Sequence, residues 1–206
     1  MLQFIACVGL LAMAGCAAKG DVINLNLEAV PPAGQEPMKK KNDVSVVVLP
    51  FEDARPDQGR LGTRSHFWGG RTYFDVPGGK PSETVAEAVA EYLKAKGWRA
   101  RVVKSDESGR PGNADVVLTG KVLGLAVDAD SKFARTKIAA KTKLAVQGRN
   151  AADESVVRMT LNGSGSDSVF WFDPKDAEKL LNEVLSESLE KLVLDTRFDN
   201  HVLRLK

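Results

Sequence analysis

Three acidic residues crowd one short stretch, with Glu52, Asp53 and Asp57 flanking Arg55. Paired carboxylates held roughly 5–9 Å apart with unequal pKa values can hydrolyse glycosides. Pro56 and Gly59 put this stretch on a loop, however, and no second helper acid is evident. Two histidines, His66 and His201, and two cysteines, Cys7 and Cys16, are too few for a zinc site of the usual His/Cys type. The serines lack an evident histidine base. Gly69-Gly70 and Ser164-Gly165-Ser166 are too small for a phosphate-cradling loop, which also needs a following helix. The expectation is a protein that is not an enzyme and uses no metal and no cofactor.

Recognition is better represented than catalysis. Residues 60–74 hold Arg60, Arg64, His66, Phe67, Trp68, Arg71, Tyr73 and Phe74. Aromatic rings with arginines dominate interface hot spots, because they bury large areas while the guanidinium pairs with carboxylate or phosphate. Arg64, His66, Phe67, Trp68, Arg71 and Tyr73 are therefore the candidate partner- or ligand-binding residues. The plainer alternative is that Phe67, Trp68 and Phe74 fold back over a sheet edge while the arginines face water. Lys137, Lys141 and Lys143 form a second candidate, a basic face joined by Lys121 and Arg158. Such a row can steer an anionic partner such as lipopolysaccharide, or simply be solvated. Lys and Arg total 29 against 27 Asp and Glu, a near balance that argues against nucleic acid as partner.

Cys16 offers a different chemistry, that of a thiol to be acylated. An apolar run from Phe4 to Ala14 ends in Met13-Ala14-Gly15-Cys16, which resembles the lipobox of bacterial lipoproteins. That resemblance implies removal of residues 1–15 as a signal peptide and attachment of membrane lipid at Cys16. Several acyl chains, each methylene worth about 0.8 kcal/mol on burial, make such an anchor effectively permanent. The run is too short for a membrane-spanning helix, which needs roughly 20 apolar residues. Ala17, where inner-membrane lipoproteins often carry Asp, implies the outer membrane, with the domain facing the periplasm. With Cys7 removed and Cys16 acylated, no disulfide is expected.

The elements that would position these residues follow from periodicity. Residues 16–21 read as a lipidated tether. Residues 22–43 read as an N-terminal strand, in which Ile23, Leu25 and Leu27 alternate with asparagines, and a linker containing Pro31-Pro32 and Lys39-Lys40-Lys41. A single α+β domain is expected over 44–206. Its first strand, from Val44, is nearly continuously apolar and reads as covered on both faces. Residues 52–80 read as a long loop with a small hairpin turning at Gly69-Gly70. A helix over 82–96 is expected to be capped by Ser82 or Thr84, with Glu87 completing a capping box, and closed by Gly97. Residues 115–168 alternate as three antiparallel strands, with a parity switch near Gly120 that signals a bulge. A second helix begins at the Asp173-Pro174 cap. The expected fold is α+β, with a mixed, largely antiparallel sheet and two helices packed on one face.

This order, with Val46-Val47-Val48-Leu49-Pro50-Phe51-Glu52-Asp53-Ala54-Arg55, Lys96-Gly97-Trp98 and Ala114-Asp115-Val116-Val117-Leu118, resembles the YajG-type bacterial outer-membrane lipoproteins. It is similar more loosely to the auxiliary lipoproteins of transport systems. The resemblance covers most of the chain after Cys16 and implies no activity or ligand site. The expected function is a membrane-anchored, non-catalytic envelope lipoprotein acting as an accessory or assembly factor through protein contacts. An envelope protein is the expected partner, and a homo-oligomer is compatible. The alternative is a module for an envelope ligand (peptidoglycan, lipopolysaccharide or lipid) that uses residues 60–74.

Overall fold

The alternating stretch after residue 115 folds as three long antiparallel strands, and the rest of the chain is assembled along them. The computed structural model describes residues 20–31, 43–103 and 112–206. The signal segment, Cys16 and Lys39-Lys40-Lys41 lie outside the described residues. In chain order the elements are β1 (Val22–Asn24), β2 (Ser45–Val48), β3 (Glu52–Asp53), β4 (Gly62–Ser65), β5 (Arg71–Asp75), α1 (Pro81–Ala95), β6 (Arg99–Val102), β7 (Val116–Lys132), β8 (Arg135–Asn150), β9 (Val156–Val169), α2 (Pro174–Leu194), β10 (Thr196–Asp199) and β11 (Val202–Leu205). The fold is α+β with a mixed sheet.

Strand β7 is the spine of that sheet. On one side it pairs antiparallel with β8 along its whole length, and β8 pairs with β9. On its other side three short strands join in parallel and in succession: β2 at Val116–Leu118, β3 at Lys121 and Val122, and β4 at Ala129 and Asp130. Beyond them β6 adds parallel to β2, β5 adds antiparallel to β4, and β1 adds parallel to β5. The parallel half was not legible in the alternation, because β2 is a plain apolar run and β3 and β4, two and four largely polar residues, are too short to show a period. Val46 and Val48 enter the main core, whereas Val47 joins Val103 and Ala114 in a second small cluster.

The long strands keep the expected parity. In β8, Ile138, Ala140, Thr142, Leu144 and Val146 are buried, while Lys137, Lys141 and Lys143 are exposed. The bulge in β7 falls at Leu123, where the register shifts between Val122 and Gly124. Gly120 instead stays in register and points inward, and a Cβ there would lie 2.4 Å from the Phe51 ring. The parity signal was sound, but the glycine serves close packing rather than the bulge.

Helix α1 packs on β6 and β2, α2 packs on β8 and β9, and both contribute to one continuous apolar core. Two glycines of β9 admit α2: a Cβ on Gly163 would lie 2.6 Å from the Val184 carbonyl oxygen, and one on Gly165 would lie 2.8 Å from Val184 Cγ2. The Asp173 cap of α2 forms as expected, with Asp176 completing the capping box. The start of α1 departs from expectation. Lys80 is the cap residue, no side chain caps it, and Pro81 opens the first turn. The Thr84 hydroxyl donates to the Lys80 carbonyl instead. At the other end Gly97 adopts φ +87°, and Trp98 N–H donates to the Leu93 carbonyl in a glycine-closed motif. Beyond α2, β10 and β11 form an antiparallel hairpin. Asn150, fully buried, pins it by accepting from Leu203 N–H at 2.7 Å and donating to the Leu203 carbonyl at 3.1 Å.

The N-terminal strand is shorter than its alternation suggested, because the chain leaves the sheet and crosses to α2. Leu25, Leu27 and Ala29 point into the core. Between them, Asn26 N–H donates to Glu178 Oε2, Glu28 N–H to Asn182 Oδ1 and Val30 N–H to Ser186 Oγ. Two residues of extended chain advance about 6.6 Å and four residues of helix about 6.0 Å, so every second amide meets every fourth side chain. Asn182→Ala removes one such acceptor and the amide donor to the Asn26 carbonyl. It is expected to cost about 1 kcal/mol, or roughly 2–4 °C in Tm. Hydrogen exchange at residues 26–30 should accelerate before any other segment does; a uniform change would show that the crossing chain is not a separate unit.

Candidate functional site

The hairpin β4–β5 presents the candidate residues, and its base is firmly held. Phe74 is fully buried, and its ring lies 6.2 Å from that of Phe172. Arg64 stacks over the Phe172 ring at 4.1 Å and donates from Nε to Ser131 Oγ at 3.1 Å. Burial pushes the Arg64 guanidinium pKa down. His66 Nε2 shares a 2.7 Å hydrogen bond with Thr72 Oγ1. Arg60 pairs with the nearly buried Asp75 at 2.5 Å. Tyr73 is half-buried and lies on the Gly20 side of the hairpin, while Arg71 is exposed. Arg64, His66 and Tyr73 thus shape the hairpin more than they face a partner.

The turn is another matter. Phe67 and Trp68 protrude with 48% and 93% of their surface exposed, and their rings pack edge to face at 4.7 Å. The alternative of Phe67, Trp68 and Phe74 all folding over a sheet edge holds for Phe74 alone.

Two neighbouring turns, unremarked in the sequence, add to this tip. Phe133 lies in the turn between β7 and β8, 84% exposed, with its ring 6.2 Å from Phe67. Phe170 and Trp171 follow the end of β9, 63% and 83% exposed, and pack edge to face at 5.2 Å. The register explains the convergence. Arg64 and Ser65 pair with Ala129 and Asp130 near the end of β7, and Val169 pairs with Thr136 at the start of β8. Three turns therefore meet at one end of the sheet and show five exposed rings. The available signal was aromatic residues placed in turns, where packing does not require them.

The acidic stretch is structural. Arg55, itself buried, holds both oxygens of Asp53 at 2.9 Å through Nε and Nη2. These hydrogen bonds hold the Asp53 carboxyl below the usual carboxylate range, against the opposing effect of burial. Glu52 pairs with Lys121 across the β3–β7 ladder, and Asp57 accepts from Gly59 N–H within its own turn. Among the described residues, no group of three or more His, Cys, Asp or Glu is placed to hold a metal ion. Ser164, Gly165 and Ser166 lie within β9 rather than in a loop.

The basic row lies on the outer face of the meander. Lys137 stands opposite Asp130, but Lys141 faces Ala126 and Ser164, and Lys143 faces Gly124 and Asn162. The last two therefore have no acid as cross-strand neighbour. Further along the same face a groove is lined by Pro50, Thr119, Lys121, Gln147, Arg158 and Met159.

No family model matches the chain, and no curated protein matches it. Among solved structures, the chain is similar to protein XCC0632 from Xanthomonas campestris, of family model DUF330. That match has 13% identity and a TM-score of 0.52, and covers 84% of this chain and 93% of that one. Lipoprotein GNA1162 from Neisseria meningitidis is similar at 11% identity and a TM-score of 0.37, over 73% of this chain and 99% of that one. The PelC dodecamer from Paraburkholderia phytofirmans is similar at 17% identity and a TM-score of 0.36, over 69% and 86%. The likeness to XCC0632 shows a shared fold.

Proposed function

We propose that this chain is a lipid-anchored envelope protein of the outer membrane, kin to the YajG-type lipoproteins. It acts without catalysis as an accessory or assembly factor through contact with another envelope protein. One observation carries the reading: the groups that chemistry would need are committed to structure, whereas the groups that recognition needs are displayed. Asp53, Asp75 and His66 each have a close internal partner. Five aromatic rings and the Lys141–Lys143 face are turned to solvent. The outer face of the meander is the surface offered to a protein partner. It is broad, rigidly hydrogen-bonded and carries exposed Lys141 and Lys143, whose cross-strand neighbours are uncharged, which suits an acidic partner.

The second reading, a module for an envelope ligand through residues 60–74, is favoured by the exposure of Phe67 and Trp68.

Two measurements test the proposal. Cys16→Ser should move the protein from the membrane fraction to the soluble fraction, because one acylated residue supplies the attachment. An intact mass showing Cys16 without acyl chains in the membrane-bound wild type would sink the anchor. In cells, a photo-crosslinking probe replacing Lys141 should give a discrete protein adduct, weakened by Lys143→Glu. A folded, membrane-bound protein that yields no protein adduct from that face would overturn the accessory-factor reading.

A further inference from the structure

We infer that the five-ring end of the sheet seats in the membrane interface. The lipid surface, rather than a protein, is the occupant of Phe67, Trp68, Phe133, Phe170 and Trp171. The inference rests on the anchor proposed at Cys16 and names what the domain does beside it.

Three independent observations converge. The first is the composition of the end: two tryptophans and three phenylalanines from three turns, all substantially exposed. Tryptophan favours the interface because its ring is apolar and its N–H still reaches a polar partner. The second is where the chain enters. Asp21 accepts from Tyr73 N–H, and β1 runs parallel to β5, so Gly20 lies beside Arg71 at the start of β5, next to the aromatic turn. Four peptide steps join Cys16 to Gly20 and span at most about 14 Å. An acyl group on Cys16 is thus confined to the neighbourhood of the rings. From Asn26 the chain then runs along α2 away from this end, through Asn182 to Ser186.

The third observation is charge. Arg71, Lys132, Arg135 and Lys137 are exposed around the rings. The acids Asp21, Asp167 and Asp173 are exposed there too and Asp130 pairs with Lys132, so the end is of mixed charge, with basic side chains beside the rings that can reach head-group phosphates. Seated this way, the domain turns its far end, with the β10–β11 hairpin, away from the bilayer. The outer face of the meander stays open to partners.

The test uses the acylated protein reconstituted in vesicles of phosphatidylethanolamine and phosphatidylglycerol whose acyl chains are brominated near the head group. Trp98 is buried and serves as the internal reference. Tryptophan fluorescence should be quenched by the bromines and shielded from iodide in the water. That quenching should fall stepwise in Trp68→Phe and Trp171→Phe. In the Cys16→Ser background, Trp68→Ala and Trp171→Ala should each weaken partitioning onto the same vesicles by about tenfold. Both rings are exposed, so these variants keep the fold.

Iodide access to Trp68 and Trp171 on the vesicle-bound protein would overturn the inference. So would a discrete protein adduct from a probe at position 68 in cells. The two readings fail separately. If the intact mass of the membrane-fraction protein shows Cys16 without acyl chains while bromine quenching persists, the anchor is wrong and the seating stands. If Cys16→Ser is released and no quenching was ever seen, the anchor stands and the seating is wrong.

Discussion

Replacing Glu190 with leucine is expected to destabilise the fold by about 3–5 kcal/mol, because it removes the carboxylate facing a buried ammonium. Lys96, 6% exposed, lies 2.6 Å from Glu190 Oε2, and the buried Tyr92 hydroxyl donates to the same oxygen. These groups tie the end of α1 to α2 beneath the core. Burial works against the Glu190 charge, but the hydrogen bonds from Lys96 and Tyr92 prevail and hold its pKa below the usual value. Burial, with Glu190 beside it, pushes the Tyr92 phenol upward.

The pH dependence follows from these directions. A carboxyl whose pKa is lower in the folded state contributes stability that is present above its unfolded pKa. That stability is lost as pH falls through the folded one. A phenol whose pKa is raised contributes below its unfolded value and loses that contribution in strong alkali. Urea denaturation should therefore show wild-type protein losing stability in acid, with that loss reduced in Glu190→Leu. Adding Lys96→Met should recover most of the loss at neutral pH, since an apolar pair of similar volume avoids burying charge. Should Glu190→Leu alone unfold no more readily than wild type, the carboxylate is not the link between the helices.

Phe74→Ala is expected to cost a comparable amount, about 3–5 kcal/mol, and to do so locally. Phe74 is fully buried on β5, against Phe172 and the main core. It fastens a hairpin whose exposed turn carries Phe67 and Trp68. Truncation leaves a cavity beneath the hairpin and loosens the Phe172 ring on which Arg64 stacks. The urea midpoint should drop, and hydrogen exchange over 62–75 should rise well above that of β8. Fluorescence of Trp68 should become more mobile although the substitution lies six residues away. If only global stability changes and the turn keeps its order, the hairpin is held by its ladder rather than by this side chain.

How much of this was legible in advance depended on whether a residue's role was set by its neighbours in the chain. The meander was, because period-two alternation in β8 and β9 states which face is buried without reference to any partner. So was α2, whose Asp173-Pro174 start supplies its own cap. The hairpin at Gly69-Gly70 was legible for the same reason, since both glycines take the positive φ that the turn requires. The start of α1 misled, because Ser82 and Thr84 fit a cap equally well on paper. Pro81 had already opened the first turn and placed them inside it.

The sequence by itself determined the α+β class, the three-stranded meander, the exposed lysine row and the candidate acylation signal at Cys16. Each of these is a local pattern of polarity or spacing. Only the tertiary structure decided that β2, β3 and β4 file along β7, and that residues 26–30 run on α2. It alone also brought Phe133 to Phe67 and set Phe170 and Trp171 at the same end of the sheet. The physical reason is that a turn's neighbours are set by strand length and register. Seventeen residues of β7 and fourteen of β9 must end together before three separate turns can share one end of the sheet. Local patterns state which side of a strand is wet; they do not state where that strand stops in space.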